Sequence, residues 1–340
     1  MIDVLQKTPL ARLPTPVSSV TVRANSKTRD IWVKHDDVSG EPYGGNKVRK
    51  LEYIFHRAAL RKATRVATFG AVASNHALAT ALYARKMGLN CTCFLSHQAK
   101  SEKTASALQV HLGLGTELVH LAGDYRSRIE TLRRHVQGRN CWVIPVGGSS
   151  WLGSVGFVNA AFELAEQIRE GTLPCPDELY VATGTMGTAA GLTLGLALAG
   201  LPTRVQAIRV TEERFANRAD MRRLIEKIAL MMRLHGADID PNIMRAIKLD
   251  FRDDFFAGGY TKVDDVTENA VNTATETGLK LETTYTGKAM AALLDDVERA
   301  RHAEKNLLFW NTCNSRPLVR RDNEQIDLQE LPVEFRRYFD

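Results

Sequence analysis

The chain has 340 residues, of which 44% are hydrophobic and 25% are charged, and this ordinary globular composition indicates no disordered class. The net charge of +6 is mild and spread along the chain, so it predicts no nucleic-acid partner and equally suits a small anionic ligand. The sequence has no signal-peptide core and no apolar run of about eighteen residues, so we expect a cytoplasmic protein that binds no membrane.

The cysteine pattern indicates free thiols rather than disulfides or a metal site. Cys91, Cys93 and Cys141 lie in apolar surroundings, which predicts buried thiols within strands. The number of cysteines is odd, and "CTC" has the wrong spacing for a metal-binding pair. The histidines also lack metal-ligand spacing, so no metal is expected.

Short apolar strands alternate with amphipathic helices along most of the chain. The predicted strands are "DIWVKHD", "RVATFGA", "CTCFL", "TELVHL", "CWVIPVGG", "ELYVATG", "TRVQAIRV" and "NLLFWNT". The predicted helices cover about 46–62, 75–88, 101–112, 126–136, 155–169, a segment from about 188, 264–278 and 287–303. This alternation predicts an α/β architecture with largely parallel sheets, in which ligands bind beyond the carboxyl ends of strands.

Three loops between a strand and a helix are candidates for binding, namely "TFGAVASNHA" (68–77), "VGGSSWLGSVG" (146–156) and "VATGTMGTAAGL" (181–192). In the third loop, glycines allow close approach and the helix start offers free N–H groups, which suits a phosphate. The loop is neither a Walker motif nor a full G-x-G-x-x-G motif, and a tight turn packed on the sheet explains it equally well.

The first loop ends in Ser74, Asn75 and His76 at a predicted helix start. These residues could present a hydroxyl, an amide and an imidazole to an anion. The simpler interpretation, which the local pattern favours, is that Ser74 is only an N-cap.

Lys47 follows two glycines in the stretch "EPYGGNKVRKLEY" (41–53) and lies at another predicted helix start. The helix N-terminus disfavours a cation, so the pKa of Lys47 would be lowered and the amine could form a Schiff base. We expect the glycines to leave room for a bulky group beside it. A solvated lysine remains the simpler interpretation of this stretch alone.

Several motifs in order resemble the family of 1-aminocyclopropane-1-carboxylate deaminases and D-cysteine desulfhydrases. The lysine stretch is similar to the pyridoxal-phosphate motif of that family. The other similar segments are "TPLARLP" (8–14), "ASNH" (73–76), "IPVGGSSWLGSVGFVNAAFEL" (144–164), "VATGTMGTAAGL" (181–192), "GGYT" (258–261) and "YTGKAMAALL" (285–294). Their order over nearly the whole chain is far more specific than any one glycine loop.

The resemblance implies fold type II of the pyridoxal-phosphate enzymes, which is the tryptophan synthase β-like fold. Two three-layer α/β domains would hold pyridoxal 5'-phosphate in the cleft between them. Residues 1–53 and 161–340 would form the larger cofactor-binding domain, and 54–160 the smaller inserted domain. A homodimer and a small amino-acid substrate are also implied.

The resemblance also implies roles for individual residues. Lys47 would bond the cofactor as a Schiff base and move a proton at the substrate's α-carbon. The implied catalytic residues are Lys47, Ser74, Tyr260 and Tyr285; the implied cofactor-binding residues are Lys47, Lys50, Asn75, Gly184, Thr185, Met186, Gly187, Thr188 and Thr286; and the implied substrate-binding residues are Ser74, Asn75, His76 and Tyr285.

Thr286 suggests which reaction to expect. It follows Tyr285, where deaminases of the family carry a glutamate that meets the pyridine nitrogen, and a hydroxyl cannot supply that charge. We therefore expect a lyase that performs α,β-elimination on D-cysteine or a similar substrate, giving pyruvate, ammonia and sulfide. The alternatives are ring opening of 1-aminocyclopropane-1-carboxylate to 2-oxobutyrate and ammonia, or a cofactor-binding relative with lost or altered turnover.

The sequence departs from the family pattern at several positions. Ala73 stands where the family usually has glutamine, and Met186 replaces a glycine. Asn311, Cys313 and Asn314 replace a histidine and two glycines of a late "HTGG" motif. These changes put the substrate in question more than the cofactor.

Overall fold

The computed structural model describes residues 5–318 and 328–339, whose strands form two separate sheets. The strands are β1 (Val17–Ala24), β2 (Lys27–His35), β3 (Arg65–Ala71), β4 (Asn90–Ser96), β5 (Glu117–His120), β6 (Cys141–Val143), β7 (Glu178–Thr183), β8 (Arg204–Arg209), β9 (Leu249–Arg252) and β10 (Leu307–Asn311). The helices are α1 (Lys47–Leu60), α2 (Asn75–Lys86), α3 (Glu102–Gly113), α4 (Tyr125–Val136), α5 (Trp151–Arg169), α6 (Gly187–Leu198), α7 (Arg218–Leu234), α8 (Asp265–Glu276), α9 (Thr286–Glu298) and α10 (Val333–Arg336).

The larger sheet has the strand order β1-β2-β10-β7-β8-β9. Only β1 is antiparallel to its neighbour, so the carboxyl ends of the other five strands meet at one edge. The chain leaves β2 toward Lys47, leaves β7 toward the glycine loop 184–188, and leaves β10 toward residues 312–314. Three distant segments of the sequence therefore meet at this edge.

The smaller sheet has the order β5-β4-β3-β6, and all of its pairings are parallel. Its strands lie between residues 65 and 143. The chain leaves β3 toward Ser74, β4 toward His97 and Gln98, and β6 toward the loop 146–149. The carboxyl ends of both sheets thus supply loops to one region.

A buried charge cluster joins α1 to the larger sheet and to α5. It consists of Lys34, Asp36, Arg49 and Glu163. Lys34 Nζ lies 2.6 Å from Glu163 Oε1, and Arg49 contacts Glu163 Oε2 at 2.9 Å and Asp36 Oδ1 at 2.8 Å. Burial alone would raise the pKa of Glu163, but the two cations outweigh it and lower that pKa to about 2. The cluster therefore fixes the helix that begins with Lys47.

The segment 331–338 packs against the smaller sheet. Leu331, Phe335 and Tyr338 are buried in the same apolar cluster as residues of α2 and β4. The hydroxyl of Tyr338 donates to the carbonyl of Gln98 at 3.0 Å and accepts from its backbone N–H at 3.1 Å. A late part of the chain therefore holds the loop that follows β4.

The predicted α/β class and the largely parallel sheets are confirmed. The predictions omitted β1, α7, β9 and α10. Helix α5 begins at Trp151 rather than 155 because the side chain of Ser150 accepts a hydrogen bond from Gly153 N. Cys91 and Cys93 are buried as predicted, whereas Cys141 is partly exposed at the start of the short strand β6. The domain boundaries stay a prediction.

Within the described ranges, every helix is too short or too polar to cross a lipid bilayer.

Candidate active site

A cavity of about 720 Å³ lies between the carboxyl ends of the two sheets. Its walls contain all of the site residues predicted from the sequence except Thr286, namely Lys47, Lys50, Ser74, Asn75, His76, Gly184, Thr185, Met186, Gly187, Thr188, Tyr260 and Tyr285. These residues come from five separate segments of the chain. A cavity of this size with a few convergent polar groups is typical of a small-molecule site.

Lys47 is the first residue of α1 and faces the cavity. Its Nζ donates to Asn46 Oδ1 at 3.0 Å. Removal from water lowers the pKa of Lys47 to about 8, and the opposing attraction of Glu282 does not cancel this effect. A substantial fraction of Lys47 is therefore neutral near pH 8, as a nucleophilic amine must be.

The two glycines before Lys47 were expected to leave room for a bulky group, but they have a different structural role. A Cβ on Gly44 would collide with the backbone carbonyl of Asp37, and a Cβ on Gly45 would lie 2.8 Å from Thr312 O. Gly45 also has a φ of +84°, which favours glycine. The expectation that these glycines leave room for a bulky ligand is wrong, because they let the protein's own backbone approach.

The glycine loop at the start of α6 forms an anion cradle. Met186 has a left-handed φ of +62°. The glycine that the family pattern has at this position would adopt this backbone conformation with less strain than methionine. A Cβ on Gly187 would come within 2.6 Å of Ser149 Oγ and 3.0 Å of Lys50 Nζ. The N–H groups of the first helical turn and the ammonium of Lys50 thus converge on one small space, which suits a phosphate.

Two residues that support this cradle were missed by the sequence analysis. Ser149 Oγ contacts Thr185 Oγ1 at 2.7 Å and accepts from Lys50 Nζ at 3.0 Å. Asn46 Nδ2 donates to Thr188 Oγ1 at 2.9 Å, and so connects Lys47 with the cradle. Both residues lie in stretches that were singled out, yet only the tertiary contacts distinguish them from their neighbours.

Ser74 caps α2, which begins with Asn75 and His76, and all three residues line the cavity. Ser74 Oγ accepts from Ala77 N at 3.2 Å, so the N-cap interpretation is confirmed, and the residue also lines the cavity. His76 Nε2 lies 2.8 Å from Thr68 Oγ1. Burial, and then the charges of Lys47 and Lys50, hold the pKa of His76 well below its usual range, so its imidazole is neutral.

The remaining wall carries two tyrosines whose hydroxyls are hydrogen-bonded to each other, Tyr260 and Tyr285. Burial raises the pKa of Tyr260 to about 12. Burial, and then the proximity of Tyr260, raises the pKa of Tyr285 well above its usual value. Both phenols are therefore neutral at physiological pH and can donate protons.

Thr286 lies just behind this wall and is only 1% exposed. Its hydroxyl accepts a hydrogen bond from Glu282 N at 3.0 Å, so a backbone group four residues earlier already occupies this hydroxyl. Its contact with a cofactor stays a prediction. The sequence analysis missed Glu282, which lines the cavity and accepts from the backbone N–H groups of Tyr285 at 2.8 Å and Thr286 at 3.0 Å.

The fold and the site define a pyridoxal-phosphate enzyme of fold type II. Residues 3–312 match the family described as pyridoxal-phosphate dependent enzymes, and the chain belongs to that family. The cofactor expected from the resemblance is thereby confirmed.

Individual relatives carry both names that the sequence motifs suggested. A D-cysteine desulfhydrase of Salmonella schwarzengrund is 35% identical over 309 residues, covering 88% of this chain and 91% of the relative. A protein of Pyrococcus furiosus provisionally named as a 1-aminocyclopropane-1-carboxylate deaminase is 34% identical over 309 residues, covering 88% of each. The crystal structure of a homologue of 1-aminocyclopropane-1-carboxylate deaminase has a TM-score of 0.73 at 28% identity, and the match covers 92% of this chain and 93% of that chain.

The residues present fit pyridoxal phosphate. Lys47 and Lys50 form no ion pair with a carboxylate of the described residues, although Lys50 is only 2% exposed. An unpaired cation so deep in a protein is costly unless an anion joins it. The phosphate would be held by Lys50, Ser149 and the first turn of α6, and Lys47 would bond the cofactor covalently.

Proposed function

We propose that this enzyme converts D-cysteine and water to pyruvate, ammonia and hydrogen sulfide by α,β-elimination. The α-proton and the β-thiolate leave the substrate, and water later releases the nitrogen as ammonia. The 35% identical desulfhydrase supports this reaction class. The observation that carries the proposal is Thr286 in place of a carboxylate directly after Tyr285.

The reason lies in how strongly the reaction depends on a protonated cofactor ring. When bound, the cofactor supplies an electron sink for the pair left at the α-carbon. Thr286 cannot keep a pyridine nitrogen protonated, because its neutral hydroxyl carries no charge and is occupied by Glu282 N. Expelling a good leaving group such as thiolate demands less of the ring than opening a cyclopropane, so elimination suits this site.

The chain supplies groups for each proton that must move. Lys47, whose pKa lies near 8, can accept the proton from the α-carbon as a neutral amine. The neutral phenols of Tyr260 and Tyr285 can donate a proton to the departing sulfur. The start of α2, with Ser74 and Asn75, offers donors to the substrate carboxylate.

Ring opening of 1-aminocyclopropane-1-carboxylate is the second candidate, because the cavity does contain one carboxylate beside Tyr285. Glu282 lines the cavity, and it would have to supply the negative charge that Thr286 lacks. Three backbone N–H groups, those of Thr284, Tyr285 and Thr286, already occupy its oxygens, which weakens its ability to do so.

The two reactions are distinguished by incubating the purified holoenzyme separately with D-cysteine, L-cysteine and the cyclopropane acid. We expect sulfide and pyruvate in equal amounts from D-cysteine, and little 2-oxobutyrate from the cyclopropane acid. Turnover of the cyclopropane acid alone would contradict the proposal. A cofactor absorbance that responds to no amino acid would instead indicate a binding relative without turnover.

We also propose a homodimer located in the cytoplasm. The homodimer rests on the family resemblance, and the location is supported by five cysteines that are all free. Light scattering on the purified protein should give twice the mass of 37.8 kDa calculated for one chain. A monomeric mass at micromolar concentration would contradict the dimer, and recovery of the protein in a fraction other than the cytosol would contradict the location.

A further inference from the structure

Gln98 lies in the loop after β4 and lines the cavity, but none of the roles considered so far includes it. Its backbone is unusually well held for a loop residue. The hydroxyl of Tyr338 accepts from Gln98 N at 3.1 Å, donates to Gln98 O at 3.0 Å and lies 3.1 Å from His97 Nδ1. The ring of Tyr338 is buried in the apolar cluster of the smaller sheet, so this anchor is itself fixed.

The side chain of Gln98 is also held in one orientation. Its Oε1 accepts a hydrogen bond from Ala73 N at 3.0 Å. A backbone N–H can only donate, so the amide atom facing Ala73 must be the oxygen and the other must be the NH₂ group. In the part of the chain that the structure describes, no acceptor is recorded for that NH₂ group. Two donor hydrogens are therefore left at the cavity wall.

The position of this amide indicates which ligand group it would meet. Ala73 directly precedes Ser74, so the NH₂ group of Gln98 stands beside the start of α2. Ala73 itself contributes no polar side chain, where the family resemblance leads us to expect an amide. The phosphate cradle lies elsewhere, at the start of α6 with Lys50 and Ser149. An anionic group that meets the start of α2 is therefore the substrate carboxylate rather than the cofactor phosphate.

We propose that Gln98 binds the substrate carboxylate through its Nε2 and so helps to select α-amino acids over simple amines. This inference rests on the proposed function only in placing the substrate carboxylate at the start of α2. Tyr338 acts through Gln98 and is a positioning residue. A rigid, pre-oriented donor of this kind gains affinity because little rotamer entropy is lost on binding.

The test compares two ligands that differ only in the carboxylate and cannot undergo β-elimination, D-alanine and ethylamine. Their dissociation constants are measured on the holoenzyme by calorimetry and by the change in cofactor absorbance. For Gln98→Ala we expect about tenfold weaker binding of D-alanine, the usual effect of losing a hydrogen bond to a charged group. Ethylamine binding should stay unchanged.

Gln98→Glu is the sharper variant because it keeps an acceptor for Ala73 N and replaces only the donor group. It should weaken D-alanine binding more than Gln98→Ala, since like charges then face each other. Tyr338→Phe keeps the buried ring. It should also weaken the binding of D-alanine and not that of ethylamine, but by less than Gln98→Ala does. The exposed Gln137→Ala on the loop after α4 is the matched control and should change neither ligand.

Equal weakening of D-alanine and ethylamine by Gln98→Ala and Gln98→Glu would overturn the proposal, because a general distortion of the site affects both ligands. Unchanged D-alanine binding in both variants would overturn it as well. The result does not depend on D-cysteine turnover. A failure of the proposed reaction and a failure of this inference are therefore distinguishable.

Discussion

Two pairs of cations in or beside the start of α1 contrast with each other. Lys34 and Arg49 belong to the buried charge cluster, where Glu163 contacts both of them and Asp36 contacts Arg49. Lys47 and Lys50 are one helical turn apart on the opposite, cavity-facing side and form no ion pair with a described carboxylate. The same few residues of sequence thus supply both kinds of site.

The difference shows how a fold separates structural charge from functional charge. A buried cation is tolerated when a carboxylate of the chain accompanies it, as for Arg49. Lys50 has no such partner among the described residues, and burial followed by repulsion from Lys47 holds its pKa well below its usual value. An anionic cofactor would supply the negative charge that is missing beside Lys47 and Lys50.

The largest expected effect comes from Lys47→Ala. Covalent cofactor attachment should be lost, and turnover should fall by about a thousandfold or more, because both the nucleophile and the proton acceptor are removed. Absorbance spectra with added cofactor and an assay of pyruvate check this. The exposed Lys227→Ala on α7 should behave as the wild type. A variant that keeps the wild-type absorbance band would contradict the assignment.

Glu163→Ala should reduce stability without touching the cavity. Removing the shared carboxylate leaves Lys34 and Arg49 without this partner. We therefore expect a loss of about 3–5 kcal/mol in the free energy of unfolding, measured by chemical denaturation. The pKa of Glu163 is lowered from 4.5 to about 2, so its contribution is complete above pH 4.5 and is lost as the pH falls toward 2. The variant should therefore lose less stability than the wild type across that acidic interval.

The control for this effect is Glu166→Ala on the exposed face of the same helix, α5. Among the described residues, Glu166 forms an ion pair only with the exposed Arg169, so its removal should leave the denaturation midpoint nearly unchanged. Equal effects of Glu163→Ala and Glu166→Ala would show that the buried charge cluster contributes nothing special.

Lys50→Met should have the opposite sign for stability. It removes a buried amine whose charged form has no carboxylate partner among the described residues, so the cofactor-free protein should be at least as stable as the wild type. Cofactor affinity should fall about tenfold to a hundredfold, because one charged donor to the phosphate is lost. Titration with pyridoxal phosphate measures the affinity, with Lys227→Met as the control. Undiminished affinity would mean that Lys50 does not meet the phosphate.

Glu282→Gln should have the smallest effect, confined to the pH dependence of cofactor attachment. The rate of attachment to the cofactor-free protein should rise with pH around 8, because only neutral Lys47 reacts. The carboxylate of Glu282 raises the pKa of Lys47, so its loss should lower the midpoint and speed attachment at pH 7. Glutamine keeps an acceptor for the backbone of α9. The exposed Glu268→Gln should leave the midpoint where it is, and an upward shift in Glu282→Gln would refute the electrostatic explanation.

The sequence predicted the parts of the site that are carried by local motifs. Lys47, Ser74 and the loop 184–188 are recognisable because their glycines, caps and order along the chain can be read directly. Ser149 and Gln98 were missed, since each acquires its position from residues far away in the sequence. Glu282 was also missed, although its carboxylate is held by the backbone of Thr284, Tyr285 and Thr286, because no motif there marks it as a cavity residue.

The same limit applies to the fold. Alternating apolar segments were enough to predict the α/β class, because the periodicity of each element is local. The contact between Arg49 and Glu163 spans 114 residues, and no local pattern announces it. The left-handed backbone at Met186 could not be read from a methionine either, because the surrounding turn imposes it.

The late segment that covers the smaller sheet also has a consequence for how the protein is made. The hydrogen bonds between Gln98 and Tyr338 span 240 residues. During translation, the apolar surface that Leu331, Phe335 and Tyr338 later cover stays bare until the ribosome has passed residue 338. A stop codon shortly before Leu331 would leave Lys47 and the phosphate cradle encoded in full. The released chain would nevertheless expose this apolar surface to chaperones and proteases.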